Sequence, residues 1–152
     1  MIRIIASIVL LALAVTACNK DKFQTKPTLS LKSMNGNVVP SGASLALEFE
    51  FTDKEGDVND TLFVKKIRLN KIKVPTVRDS FPLAVPNFPE NNQGTLKVVL
   101  DHSFYLTSAI NPPKDPVTGK NMNDTLILKF VLKDRANNVS DTVTTEQIVV
   151  LR

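Results

Sequence analysis

The sequence predicts an all-β fold, a single antiparallel β-sandwich of about seven strands. Apolar and polar residues alternate in several segments, which is the period of a strand with one buried face. Apolar residues at helical spacing are not sustained anywhere after residue 18. The chain has 152 residues, of which 43% are hydrophobic. This is enough apolar material for the core of one ordinary domain.

The alternation places four of the strands. Leu29 and Leu31 indicate a first strand, which the turn signal Asn35-Gly36 closes. Three later segments show the clearest pattern, with apolar residues two apart at Leu45, Leu47, Phe49 and Phe51, at Leu96, Val98 and Leu100, and at Leu126, Leu128, Phe130 and Leu132. Each predicts a strand that turns one face to the core.

Three further segments complete the predicted sheet pair. Residues 61–69 form a strand in which we expect one shared face for Phe63, Ile67 and Leu69. A weaker strand lies within residues 72–81, where Pro75 indicates the edge of a sheet. The last strand covers residues 143–151, and its alternation changes phase near Glu146, which a β-bulge explains.

This pattern resembles an immunoglobulin-like sandwich. The chain has one cysteine and no tryptophan, so the disulfide and the tryptophan of antibody domains are absent. The resemblance is therefore to fibronectin-type or cadherin-like sandwiches. It implies that the loops after the second and sixth strands lie at the same end. Residues 84–94 and 111–124 form two further long polar loops, which are alternative contact surfaces.

The first residues are typical of a secretory signal. A short positively charged start, Met1-Ile2-Arg3, precedes about twelve mostly apolar residues, too few to cross a bilayer. The run ends in Val15-Thr16-Ala17-Cys18. These four residues resemble the lipobox of bacterial lipoproteins. The resemblance implies cleavage before Cys18, a diacylglycerol on its thiol and acylation of the new amine.

The predicted domain organisation follows from this motif. Residues 1–17 are a signal peptide, 18–26 hold the lipidated cysteine and a polar tether, and 27–152 form the sandwich. Alternatively, the cysteine follows an ordinary cleaved signal by coincidence, or the segment is a transmembrane anchor. Residues 19–22 partly resemble the export signal of surface lipoproteins. We therefore expect an outer-membrane location, on the periplasmic face or the cell surface.

An acidic loop follows the predicted second strand. Four carboxylates, among them Asp53, Glu55 and Asp57, lie within eight residues around Gly56. They resemble the acidic loops of cadherin-like domains, and carboxylate oxygens are the ligands that Ca²⁺ prefers. Because the loop after the sixth strand shares this end, it contributes the further candidate ligands Asp134 and Asn137. Alternatively, both loops are solvated turns whose charges nearby cations neutralise.

Three Asp-Thr pairs followed by an aliphatic residue stand where strands begin, at Thr61, Thr125 and Thr142. They resemble acceptor sites for O-glycosylation in some Gram-negative bacteria. The simpler interpretation is that Asp favours the turn and the β-branched Thr starts the strand.

The residue types argue against several function classes. One His, one Cys and no motif for a nucleophile, zinc or a phosphate leave no support for an enzyme. The basic run at residues 65–78 lacks the interleaved aromatic residues that stack nucleic-acid bases. We expect a non-catalytic, lipid-anchored binding or structural module of the bacterial envelope, whose partner is another envelope protein or a glycan. The alternative is a Ca²⁺-dependent adhesion or carbohydrate-binding domain, and Ca²⁺ is the one cofactor considered.

Overall fold

The computed structural model describes residues 25–87 and 89–152. The predicted signal peptide and Cys18 lie outside the described residues. Within them, the strands in chain order are β1 (Thr28–Met34), β2 (Val38–Val39), β3 (Ser44–Thr52), β4 (Thr61–Arg68), β5 (Ser80–Ala84), β6 (Gln93–Asp101), β7 (Asp124–Lys133), β8 (Val143–Thr144) and β9 (Ile148–Val150). The predicted all-β sandwich is confirmed. No helix in this part of the chain is long and apolar enough to cross a membrane.

The strands form two sheets. One has the order β1-β3-β6, and the other has the order β2-β9-β7-β4-β5, with β8 also paired to β7. Neighbouring strands are antiparallel, except that the short β2 pairs in parallel with β9. That parallel pair was not expected, because a two-residue strand is too short for its alternation to be recognised.

The predicted bulge near Glu146 is present. Val143 of β8 pairs with Phe130, whereas Ile148 of β9 pairs with Leu126. Residues 143–148, six in number, therefore span five residues of β7 (126–130), so one extra residue lies between β8 and β9. Thr145 occupies this gap, and its hydroxyl accepts a hydrogen bond from the backbone N–H of Leu128 (3.0 Å). The bulge thus keeps both ends of the last strand on β7.

The core lies between the two sheets. The rings of Phe49 on β3 and Phe130 on β7 meet at its centre, with centroids 4.7 Å apart. Both side chains are fully buried. The other fully buried large residues are Leu45, Leu62, Leu100, Leu106, Leu126, Leu128, Leu132, Ile148, Val58 and Val64. The alternating residues predicted for β3 and β7 are thus the ones that fill the core.

Two details differ from the sequence-based expectations. The fifth strand begins at Ser80 and carries Pro82 rather than Pro75 at the sheet edge. In β4 the shared face of Phe63 and Ile67 is the outer one, while Leu62 and Val64 point into the core. The larger apolar residues of this strand therefore face outward, which alternation alone could not reveal.

A single helical turn follows β6. Residues His102–Leu106 form a π-helix, which Asp101 caps by accepting hydrogen bonds from the N–H groups of Ser103 (2.9 Å) and Phe104 (2.8 Å). His102 is buried, and its Nε2 donates to the carbonyl of Leu151 (2.6 Å). The Asp101-His102-Ser103 sequence is thus a capped turn, and its three side chains do not form a catalytic triad.

Lys66 is a buried cation on the inner face of β4. Its Nζ donates to the carbonyls of Tyr105 (2.6 Å) and Thr107 (3.2 Å), just behind the π-helix. Burial lowers the pKa of Lys66 from its ordinary value of 10.5 to about 8, although Asp79 and Asp124 act against this. Lys65, which directly precedes it in sequence, is exposed on the opposite face of the strand.

This environment predicts a rise in stability with pH. Between pH 8 and 10.5, the unfolded chain retains a proton on Lys66 that the folded chain has lost, so raising the pH favours the folded state. We expect the free energy of unfolding to increase between about pH 8 and 10, measured by urea denaturation. The increase is lost in Lys66→Met and retained in the matched control Lys65→Met. An equal pH response in both variants would assign the effect to other groups.

Candidate functional site

Two loops of the sandwich meet at one end, as the sequence resemblance implied. Residues 53–60 connect β3 to β4, and residues 134–142 connect β7 to β8. They are adjacent because Thr61 at the start of β4 pairs with Lys133 at the end of β7. The backbone N–H of Arg135 also donates to the carbonyl of Asp57 (3.1 Å), which joins the two loops directly.

Three carboxylates converge between these loops. Asp53, Asp57 and Asp134 each place an oxygen within 4.8 Å of the others. Asp53 is 0% exposed and Asp134 is 1% exposed, while Asp57 is half-buried. We call these three residues the carboxylate cluster. Buried carboxylates are rare unless they are paired or bind a cation.

Hydrogen bonds hold two of these carboxylates in place. Oδ2 of Asp53 accepts from the backbone N–H of Asp57 (3.1 Å). Both oxygens of Asp134 accept from Asn138, one from its backbone N–H (2.7 Å) and one from its side-chain amide (2.9 Å). In contrast, Oδ1 of Asp53 and Oδ1 of Asp57 are buried and have no hydrogen-bond partner among the described residues.

The cluster is electrostatically unfavourable without a proton or a cation. Burial raises the pKa of the Asp53 carboxyl above its ordinary value, and the neighbouring Asp57 carboxyl raises it further, against the N–H groups of Asp57 and Gly56. A carboxyl with a raised pKa stabilises the fold when it is protonated, and this contribution is lost as the pH rises through the folded-state pKa. The ionised form of Asp53 therefore costs stability in the folded state.

Two of the predicted ligands lie outside the cluster. Glu55 is exposed and does not belong to it. Asn137 adopts a left-handed conformation (φ 70°) at the tip of its turn, and its side-chain oxygen accepts from Lys133 (3.3 Å). The structure thus brings together three of the five residues that the sequence suggested.

A third loop, between β5 and β6, packs against the acidic loop. Gly56 has φ +73°, and a Cβ at this position would lie 2.9 Å from the backbone nitrogen of Asn91. The backbone N–H of Asp53 donates to the carbonyl of Asn92 (2.8 Å), and the side chain of Asn92 donates to the carbonyl of Lys54. Asn91 and Asn92, within the predicted loop 84–94, therefore hold the acidic loop in place, a role that sequence reasoning did not assign to them.

The three candidate glycosylation threonines occupy different environments. Thr142 is exposed, whereas Thr61 and Thr125 are half-buried. The hydroxyl of Thr61 donates to Asp60 (3.0 Å). Thr125 pairs with Val149 within the sheet. Thr142 is the most accessible of the three to a modifying enzyme.

Sequence reasoning missed another buried carboxylate, which lies outside the carboxylate cluster. Asp124, in the middle of a predicted turn motif, is 0% exposed and accepts from Arg68 Nε (2.7 Å) and from an Arg152 guanidinium nitrogen (2.5 Å). The backbone N–H of Ser108 also donates to it (3.0 Å). Burial alone would raise the pKa of Asp124, but these partners hold it below its ordinary value. The signal was its place in the strand alternation, which points inward at Leu126 and therefore also at residue 124.

The outer face of β4 and β7 combines apolar and cationic side chains. Phe63, which is 44% exposed, stands opposite Val131, and Lys65 stands opposite Lys129. Neither lysine forms an ion pair with any residue in the described ranges. Like charges directly opposite one another destabilise a sheet. This face would therefore favour contact with an anionic group.

The close approach of the acidic loop to Asn91 can be tested with two glycines. Gly56→Ala combines a left-handed backbone with a steric clash, and we expect a loss of about 2–3 kcal/mol in the free energy of unfolding. Gly42 has a similar φ of +77° but no atom within 4 Å of an added Cβ. Gly42→Ala should therefore cost about 1 kcal/mol, which is the conformational part alone. Equal losses in urea denaturation would show that Gly56 is not confined by Asn91.

No protein-family model matches the sequence, no curated protein matches it, and no solved structure matches the fold. The functional conclusions below therefore depend on the sequence motifs and on the geometry of the described residues.

Proposed function

We propose that this chain is a lipid-anchored lipoprotein of the bacterial envelope that acts as a non-catalytic binding or structural module. The observation that carries this proposal is the lipobox, Val15-Thr16-Ala17-Cys18, at the end of a short apolar segment. Two or more acyl chains on Cys18 would anchor the protein stably, where a single chain gives only marginal binding. We further propose an outer-membrane location, on the periplasmic face or the cell surface.

The position of the first strand supports a domain held close to the membrane. β1 begins at Thr28, so a tether of residues 18–26 spans at most about 30 Å. Thr28 pairs with Thr52, which places the start of β1 at the end where the carboxylate cluster lies. Lys26 also forms an ion pair with Asp141 of that end (2.6 Å). On this proposal, the loop end faces the membrane.

The strand order supports an immunoglobulin-like assignment. Strands β1, β3 and β6 face β4, β7 and the β8–β9 pair, as A, B and E face C, F and G in immunoglobulin-like sandwiches. Such a scaffold presents contact surfaces on rigid strands and on the loops at its ends. The outer face around Phe63, Lys65 and Lys129 is one such surface, and an envelope protein or a glycan with anionic groups is the partner it suits.

The lipid anchor is tested by removing the cysteine. In a Gram-negative host supplied with an alkyne-labelled fatty acid, we expect the wild-type chain to carry the label and to fractionate with the outer membrane. Cys18→Ala should lose the label and be retained as the uncleaved precursor, because no thiol is available for diacylglycerol. Ala17→Gly keeps a small residue before the cysteine and serves as the matched control. Labelled Cys18→Ala, or an unlabelled wild-type chain, would contradict the proposal.

A second candidate function is a Ca²⁺-dependent adhesion or carbohydrate-binding domain. The carboxylate cluster at the loop end favours it, because a cation there would order the two loops that meet at this end of the sandwich. An O-glycan on Thr61 or Thr142 would lie at that end, whereas Thr125 lies at the opposite end of β7, next to Asp124. Beads coated with the protein should then aggregate, or retain envelope polysaccharide, in millimolar Ca²⁺ and not in excess chelator. No difference between these conditions would exclude this function.

A further inference from the structure

We propose that Asp53, Asp57 and Asp134 bind one Ca²⁺ ion between the two loops at this end of the sandwich. The site would supply the metal ion for the second candidate function. Only the biological role of the site rests on that function. Whether the ion binds is a property of the domain itself. It does not depend on the lipid anchor.

A fully buried side chain of the cluster, Asp53, has an oxygen without a hydrogen-bond partner among the described residues. Asp53 is 0% exposed, its Oδ2 accepts from a backbone N–H, and its Oδ1 has no hydrogen-bond partner among the described residues. Leaving a buried acceptor without a partner destabilises the folded state. Oδ1 of Asp57 is in the same state. A cation bound in the cluster would give both oxygens a partner and would offset the charge of the third carboxylate, Asp134.

The negative charges of the cluster are not balanced by an ion pair within the described residues. No lysine or arginine in the described ranges forms an ion pair with the cluster. Arg135 follows Asp134 directly, but its guanidinium donates to Asn87 (3.2 Å). Lys133 is paired with Asp60 (2.8 Å). Up to three negative charges therefore lie close together, two of them on buried side chains, and a proton or a bound cation must offset them.

The ligand chemistry selects Ca²⁺. Oxygens that share one Ca²⁺ at about 2.3–2.6 Å lie at most about 5 Å apart, and one oxygen from each of the three carboxylates satisfies this limit. Zinc prefers histidine or cysteine ligands, whereas this cluster consists of carboxylates alone. Mg²⁺ demands a near-ideal octahedron of ligands, whereas three carboxylates from two separate loops fit the more variable coordination of Ca²⁺. Three carboxylates supply three to six oxygens, so water completes the shell of six to eight.

The ion would connect separate parts of the fold. Asp53 and Asp57 belong to the loop after β3, and Asp134 follows β7 in the other sheet. A backbone hydrogen bond from Arg135 to Asp57 joins the two loops directly (3.1 Å). A shared Ca²⁺ would fix both loops in one arrangement and remove the repulsion between the carboxylates. Binding must therefore stabilise the folded state.

Thermal unfolding of the full-length chain in detergent tests the site, with Ca²⁺, with Mg²⁺ and with excess chelator. We expect millimolar Ca²⁺ to raise the Tm by several degrees and Mg²⁺ to raise it less. Asp134→Asn and Asp57→Asn should abolish the Ca²⁺ shift. Glu55→Gln, a carboxylate of the same loop outside the cluster, should leave it unchanged.

A second readout covers a variant that folds poorly. In chelator, Asp57→Asn should melt at or above the wild-type temperature, because it removes a charge from the cluster at a residue whose Oδ1 has no hydrogen-bond partner among the described residues. Isothermal titration with CaCl₂ should then give one site per chain in wild type and none in this variant. No Ca²⁺ shift in wild type, or an equal shift in Glu55→Gln and Asp57→Asn, would overturn the proposal. A Ca²⁺ shift without bead aggregation would retain the metal site and exclude the adhesion function.

Discussion

The fold depends on the strict alternation of β7. Each second residue of Asp124–Lys133 is buried, and the strand pairs with β4 along one side and with β8 and β9 along the other. Its buried residues supply much of the second sheet's share of the core, including the Phe130 ring that meets Phe49. A slip of one residue would exchange the buried and exposed sets and bring lysines into the core, so the register is tightly determined.

The same alternation places a carboxylate at each end of this strand, with opposite electrostatic outcomes. Asp124, the first residue, points inward and meets Arg68 and Arg152. Asp134, one residue past the last, points inward and meets two further carboxylates. The first site is a closed ion-pair link between β4, β7 and Arg152, in which two guanidinium groups meet one carboxylate. The second lacks a counter-charge among the described residues, and this contrast is why we assign a ligand to one end and a structural role to the other.

This division fits the proposed topology of an anchored module. The loop end with the carboxylate cluster lies where β1 begins and is therefore close to the tether. The opposite end is closed by the π-helix, the buried Lys66 and the Asp124 ion pairs. The buried charged groups at that end are thus paired or hydrogen-bonded within the chain. The loops near the tether depend on glycine geometry, on asparagine hydrogen bonds and, on our proposal, on Ca²⁺.

The sequence by itself determined the all-β class, most strand positions and the bulge near Glu146, because a period of two records which side chains enter the core. It also identified the acidic loop and its neighbour after β7, since the resemblance to an immunoglobulin-like sandwich implied their proximity. Tertiary structure alone decided which acids converge. Asp53, Asp57 and Asp134 face inward between the loops, while Glu55 and Asn137 turn to solvent. It also decided that Asp124 and Lys66 are buried with partners more than 25 residues away in sequence. Alternation fixes the face on which a side chain lies, but only the packed chain fixes what that side chain meets.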